Sequence, residues 1–436
     1  MSEELPPGWA LPRLGELTSP AAPIQYGVLK PGPRLADGVP MLRVTDIRTN
    51  IVDEGGIYRI SRGLDEEFRR TRLMANDVLI SVQGTVGRVA IVPPTLVNAN
   101  ISRTLARIRL RGPDWAPWIR WALLSPQMQR VIGNEVGGTT RDSLNIGDLR
   151  LIKIPLPPFA EQRRIVARIE ALFARIRQAR ADLLRIAPLA QRFRQRTIAA
   201  AVSPSDRDDW QPCTIADVAE VVTGTTPPTA NRDYFGGDTP FIKPTDLDAG
   251  YHVEGAREGL TDIGLTVSRP IPADTTLLTC IGATIGKTGF ARVPCATNQQ
   301  INSLVPKRYR IEPRWLYWLV VGPEFQESVR ANASATTLPI LNKGRLERLA
   351  VLVPSLEQQR ARADRIEAIL PVAAVVEHEA TRALALLDHL EQSILARAFR
   401  GELVPQDPAD EPAAITLNQL ATSATEPGRR RLRRTA

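Results

Sequence analysis

The segment Gly282-Ala-Thr-Ile-Gly286-Lys287-Thr288 has the glycines, lysine and hydroxyl of a phosphate-binding loop. Such a loop needs a glycine five positions before its second glycine, so that backbone N–H groups can close around phosphate oxygens, and Ile281 stands there instead. Earlier in the chain Gly84-Thr-Val-Gly87-Arg88 is again a glycine-bounded turn followed by one cation. A turn between strands, used twice, accounts for both. Nuclease centres of the common kind place a carboxylate two positions before a lysine, and none of Lys30, Lys153, Lys243, Lys287, Lys307 and Lys343 has one. No Asn-Pro-Pro-aromatic tetrapeptide is present for methylating a flipped base, nor a glycine-rich fingerprint for a methyl donor. His252, His378 and His389 give acid–base catalysis or metal ligation little material. Cys213, Cys280 and Cys295 are odd in number and lack a CxxC spacing, so neither a disulfide framework nor a zinc site is supported. The expectation is a chain with no catalytic residues, no metal and no cofactor of its own.

The elements that would position a binding surface come from a duplication. Trp118-Ile-Arg-Trp121 aligns with Trp315-Leu-Tyr-Trp318, and the same offset carries Pro126 onto Pro323, Gln129 onto Gln326 and Leu144-Asn145 onto Leu341-Asn342. It continues through Gln162-Arg163 onto Gln359-Arg360 and Arg168-Ile-Glu-Ala171 onto Arg365-Ile-Glu-Ala368. Upstream the register drifts, as loop insertions allow: Met41 to Ile47 matches Phe241 to Leu247, Asn98 and Ile101 match Asn298 and Ile301, and Trp9 matches Trp210.

Within each copy the first ~150 residues are rich in Val, Ile, Thr and Gly, with short apolar runs such as Asp77 to Val82 between turn residues, and read as mainly β. A four-three apolar spacing then takes over at Ile165, Ile169, Leu172, Ile176, Ala179, Leu183, Ile186, Ala190 and Phe193. It returns at Ile366, Ile369, Ala373, Val376, Ala380, Ala383, Leu387, Leu390 and Ile394. These are coiled-coil seams, expected to kink or break at Pro188 and Pro371. The fold expected is α+β: two mainly β domains separated by two long antiparallel helices, in a pseudo-two-fold tandem repeat. The boundaries fall at 1–157, 158–203, 204–354 and 355–405, with 406–436 a flexible basic tail.

The 436 residues carry a formal charge of +9, unevenly placed. Residues 158–203 hold ten basic side chains against three acidic, whereas 355–410 hold six against ten, so the helices complement one another. No stretch approaches the ~20 apolar residues of a membrane span, and Met1 to Pro12 lacks the apolar core of a signal peptide; a cytoplasmic protein is expected.

On Trp9…Leu14-Gly-Glu-Leu17, Tyr234-Phe-Gly-Gly-Asp-Thr-Pro-Phe-Ile-Lys-Pro-Thr-Asp246, Leu156-Pro-Pro-Phe-Ala-Glu-Gln-Arg-Arg-Ile-Val166 and Gln392-Ser-Ile-Leu-Ala-Arg-Ala-Phe-Arg-Gly-Glu-Leu-Val404, the chain resembles the specificity subunit of a type I restriction-modification enzyme. The first helix departs from the resemblance at its end, Gln195 to Val202, and the Arg429 to Arg434 run lies beyond the repeat. The resemblance implies two target-recognition domains, each reading half of a bipartite site in double-stranded DNA, with unread base pairs between. It further implies partners: two modification subunits using S-adenosylmethionine, and restriction subunits using ATP and Mg2+. Candidate DNA-contacting residues are those where the copies keep a strand but change its end: Arg88, Asn98, Asn100 and Ser102, and Lys287, Asn298, Gln299, Gln300 and Asn302. Thr139, Thr140 and Arg141, with Thr336 and Thr337, are candidates for the DNA backbone. Asn and Gln suit adenine, and Arg suits guanine. Thr45-Asp46 and Thr245-Asp246, being shared, are expected to be structural.

Overall fold

The computed structural model describes residues 5–135, 143–204, 209–334 and 338–423. The chain divides into two compact units, residues 1–181 with 384–436, and residues 182–383.

In the first unit, seven strands build two sheets: β1 (Gln25–Tyr26), β2 (Val39–Leu42), β3 (Tyr58–Ile60), β4 (Val78–Ser81), β5 (Val89–Ile91), β6 (Asn100–Ile101) and β7 (Leu105–Ile108). One sheet runs β1-β7-β4-β5, all antiparallel, and the other runs β3-β2-β6, with β2 and β6 parallel. Every residue of β4 and β7 is buried, as the unbroken apolar run at Val78 requires of a central strand. Helix α1 (Ala116–Leu124) lays Trp118, Ile119, Ala122 and Leu123 on this core.

The start of the domain is stapled to its end by antiparallel bridges, Ala10 to Leu156 and Arg13 to Lys153. That staple brings Trp9 edge-on to Trp118 at 5.8 Å, beside the foot of α2 (Phe159–Leu184). Gln162 Nε2 donates to Pro157 O at 2.8 Å, fixing the angle at which the helix leaves the domain. Helix α2 ends at Leu184, and α3 (Ile186–Val202) begins one residue on, with Pro188 in its first turn. Proline is tolerated there because the first-turn N–H groups have no helical partner to lose.

The second unit repeats the plan with β8 (Ala219–Thr223), β9 (Phe235–Ile242), β10 (Gly259–Leu260), β11 (Pro270–Ile271), β12 (Thr275–Thr279), β13 (Thr288–Ala291), β14 (Cys295–Thr297) and β15 (Ile301–Pro306). Its sheets run β8-β15-β12-β13 and β10-β9-β14-β11, and the parallel pair is now β9 with β14. Helix α4 (Pro313–Val321) buries Trp315 and Trp318. The staple becomes a ladder, Gln211–Thr214 against Ala350–Val353, and Trp210 meets Trp315 at 5.8 Å.

Of the kink or break expected at Pro371, the break does not occur: helix α5 (Leu356–Ala398) runs through it as one helix. Pro371 is solvent-exposed, and the helix is long enough on either side to absorb one missing hydrogen bond. Within each unit the helices pair antiparallel. In the first, Arg180 bonds Asp388 and Glu391 at 2.8 and 3.3 Å; in the second, Arg194 bonds Glu377 at 2.9 Å. Of the expected seam, Ile165, Ile169, Ile176, Ala190, Ile366, Ala373, Ala380 and Ile394 are buried. Phe193, Val376 and Leu390 are exposed, so a strict heptad over-assigns the seam of a short two-helix contact.

After α5 the chain returns to the first domain. Asp410 pairs with Arg164 through two bonds, 2.6 and 3.2 Å, and Ala413 N donates to Gly8 O at 3.0 Å. Helix α6 (Ala413–Ser423) sets Leu417 and Leu420 on the Trp118 core. The Arg429 to Arg434 run lies outside the described residues.

Candidate nucleic-acid interface

Many residues that match between the copies are struts. Gln129 Nε2 donates to Gly87 O and Leu123 O, and Gln326 Nε2 donates to Val320 O and Thr288 Oγ1, so each ties its glycine turn or the strand after it to a helix. Asn145 and Asn342 cap the short helices that follow them by accepting from Gly147 N and Arg345 N. Asp46 and Asp246 accept from the N–H three residues before, at Arg43 and Lys243, which makes the shared Thr-Asp pairs turn formers as expected. The two glycine turns join antiparallel strands, β4 to β5 and β12 to β13, and no helix follows either one. Gly84, Gly87, Gly282 and Gly286 all have φ between 76° and 91°, the left-handed region that demands glycine.

Several candidates also prove internal. Asn100 uses its whole side chain inside the first unit: Nδ2 donates to Asp65 Oδ1 and Phe68 O, and Oδ1 accepts from Thr71 Oγ1 and Ile101 N. Nothing remains to offer a base. Asn302 is buried and accepts from Thr223 Oγ1 at 2.7 Å. Arg88 Nη1 donates to the carbonyls of Val44 and Ile47, while Lys287 pairs with Asp248 at 2.8 Å. Arg88 thus holds the Thr45-Asp46 turn, and Lys287 holds the residues just after Thr245-Asp246. Asn98 is exposed with φ 65°, a backbone state that Asn tolerates better than most residues. Thr139, Thr140, Arg141, Thr336 and Thr337 lie outside the described residues; their flanks do not, since Ser143 bridges to Gln83 and Ile340 to Ile281.

The backbone register corrects one alignment. Thr104 O accepts from Val82 N just as Gln300 O accepts from Cys280 N, and Ile101 O accepts from Val28 N just as Thr297 O accepts from Thr225 N. The counterparts of Asn298, Gln299 and Gln300 are therefore Ser102, Arg103 and Thr104, and Asn98 has no such relation to Asn298. The first copy carries a longer connection between the two sheets, closed by a turn at Pro94–Leu96, which shifts the register.

The next connection, from β6 to β7 in the first unit and from β14 to β15 in the second, has the same construction in both. Its flanking residues bond to each other: Ser102 Oγ to Thr104 Oγ1 at 2.6 Å, and Asn298 Nδ2 to Gln300 Oε1 at 3.0 Å. The middle residue, Arg103 or Gln299, projects to solvent. Beneath it the neighbouring segment is held so close that Gly27 and Gly224 are obligatory, because a Cβ would lie 1.7 Å from Ile101 O and 2.1 Å from Asn298 O. The sequence does not single out Arg103, because setting Asn98 opposite Asn298 puts Ala99 opposite Gln299; only the hydrogen-bond register pairs Arg103 with Gln299.

The cysteines are structural. Burial raises the Cys280 thiol to about 11 and the Cys295 thiol to about 12, so neither is a thiolate near neutral pH. Among the described residues no group of His, Cys, Asp and Glu is placed to hold a metal ion, and no helix is long and apolar enough to cross a membrane.

Two α+β domains of one design, each joined to a pair of antiparallel helices and presenting unlike polar loops on like struts, define an internally duplicated protein. The chain belongs to the type I restriction modification DNA specificity domain family, whose model matches residues 33–184 and 207–375. It is 34% identical over 171 residues to the type I restriction enzyme EcoBI specificity subunit of Escherichia coli, a match covering 39% of this chain and 36% of that one. That match, like those to the next relatives, spans about a third of the relative's length. Over 97% of this chain and 95% of the other, it is 22% identical to the StySPI specificity subunit of Salmonella potsdam. In fold it is similar to the crystal structure of the HsdS subunit from Thermoanaerobacter tengcongensis, with a TM-score of 0.61 and 22% identity over 92% of this chain and 98% of that one. A chain from a structure of a type I restriction-modification system's complex assembly and conformational transition gives 0.69 and 24%, over 92% and 100%.

Proposed function

We propose that this chain is the DNA-reading subunit of a type I restriction-modification assembly, with each unit reading one half of an asymmetric bipartite target. The chemistry belongs to its partners: two modification subunits that methylate adenine with S-adenosylmethionine, and restriction subunits that cleave DNA with ATP and Mg2+. This chain catalyses nothing and works in the cytoplasm. What carries the reading is one scaffold built twice, with its struts kept and the exposed side chains between them changed. A protein that bound only other proteins would gain nothing from such a pattern. Phosphate contacts supply affinity through the basic first half of the chain, and base edges supply sequence. Among the expected residues, Asn98 and Gln299 face solvent and serve as readers; Thr139, Thr140, Arg141, Thr336 and Thr337 touch the DNA backbone. Arg88, Asn100, Ser102, Lys287, Asn298, Gln300 and Asn302 shape the loops that hold readers out.

Selection from a random duplex pool by the chain assembled with its modification subunits tests this. Two short fixed blocks separated by unread base pairs are expected. Binding without any enriched sequence, or the same enrichment without this chain, would defeat the proposal in favour of a protein-only adaptor.

A further inference from the structure

We infer that Arg103 and Gln299 occupy one and the same base-reading position in the two units, Arg103 reading guanine in one half-site and Gln299 reading adenine in the other. This rests on the proposal that the units read DNA, and adds which residue does so and which base it selects.

The equivalence is set by backbone alone. In both units the turn that carries the residue is clamped at its two ends: Ile101 O accepts from Val28 N and Thr104 O from Val82 N in the first unit, and Thr297 O accepts from Thr225 N and Gln300 O from Cys280 N in the second. The flanking side chains bond across the middle residue, which leaves that residue nowhere to turn but outward. Arg103 is exposed; its backbone N donates to Val28 O at 2.9 Å, and its guanidinium makes no hydrogen bond or ion pair among the described residues. Its five N–H donors are therefore free to meet an acceptor pair, such as O6 and N7 of guanine.

Gln299 is exposed too, and Thr226 donates to its Oε1. That bond fixes the amide plane while leaving one Oε1 lone pair and both Nε2 hydrogens, the set that meets N6 and N7 of adenine. The position of Thr226 in the first unit is held by Leu29, which follows Val28 as Thr226 follows Thr225. Leu29 is 60% exposed and has no hydroxyl to orient an amide. The pairing of reader and neighbour therefore changes together: Gln with a positioning hydroxyl in one unit, Arg with an apolar side chain in the other. An exposed leucine beside the fork suits an adjoining thymine methyl. Gln83 and Ile281, which begin the glycine turns, bridge to Ser143 and Ile340, and the residues just before them, Val82 and Cys280, donate to Thr104 O and Gln300 O, so the reader stands beside the glycine turn in both units.

The test is a map of methylated adenines in cells carrying the complete system with the native chain, Arg103→Gln, Arg103→Ala or Gln299→Arg. The native motif is expected to have a guanine in one half that Arg103→Ala relaxes and Arg103→Gln moves toward adenine, with preference changing about tenfold or more at that one position. Gln299→Arg is expected to change one adenine in the other half toward guanine. Neither change touches a buried group, and equal melting temperatures confirm that folding is intact. If Arg103→Ala lowers methylation evenly over an unchanged motif, Arg103 is a phosphate contact and the inference fails. If all variants keep the native motif at native levels, it fails as well, though the chain still directs methylation. If methylation does not depend on the chain at all, the underlying reading fails with it.

Discussion

In the first unit Gln162 reaches Pro157 O at 2.8 Å, and in the second Gln359 reaches Pro354 O at the same distance, yet the residue just before each glutamine has opposite surroundings. Glu161 is 2% exposed, accepts from Trp9 Nε1 at 3.1 Å, and is pushed above the usual carboxyl range by burial. Its counterpart Gln358 is exposed, and Trp210 is covered instead by the Arg362 guanidinium, 4.8 Å from its ring. The cause is the segment after α5, which runs from Gly401 to α6 and closes over the first domain. Equal struts thus carry unequal covers: the duplication repeats the helix foot, and among the described residues the first foot has a lid from the segment after α5 that the second lacks.

Removing residues 405–436 should break this difference most. The first unit loses the Arg164–Asp410 pair, the Ala413–Gly8 bond and the packing of Leu417 and Leu420, a cost of about 3 kcal/mol, while the second unit is untouched. Hydrogen exchange read separately over α1 and α4 should show faster opening only at α1. Next, Asn100→Ala should destabilise the first unit by about 2 kcal/mol, because four hydrogen bonds vanish and buried partners are left behind. Chemical denaturation measures it.

Glu161→Gln copies the second unit and sharpens the comparison through pH. A carboxyl whose folded pKa is raised contributes stability that is full below its unfolded value, about 4.3, and lost as pH rises through the folded one. The melting temperature of the variant relative to the native chain should therefore rise between acid and neutral pH. A constant difference would mean that burial does not raise the Glu161 carboxyl. The smallest effect belongs to Arg180→Ala, below about 1 kcal/mol, since its partner Asp388 is well exposed and salt screens the pair.

Much of this was legible in sequence because the struts are repeated with little drift from Trp118 onward. The Trp pairs, the Gln-Arg helix starts and the glycine turns all sit where the self-alignment put them. The residues proposed as readers are less legible. Between β5 and β6 the copies differ in length, and the two-residue strand β6 offers no pattern long enough to fix its register, so Asn98 fell on Asn298 by coincidence of type. Polar side chains at strand ends looked like readers when Asn100 and Asn302 are struts, because sequence records a donor and an acceptor but not whether a neighbour already occupies them. The Pro188 break was legible and the Pro371 break was not real, since proline's effect depends on whether it falls in a first turn or deep within an uninterrupted helix.

The claim on which the account turns is that this chain supplies two unlike half-sites to one target. A genome-wide map of methylated adenines, made with the gene present and with it removed, tests that most directly. The account predicts a two-part motif with different halves and a fixed unread interval that vanishes when the gene is removed. A motif that persists without the gene, or one whose halves are a perfect inverted repeat, would contradict it.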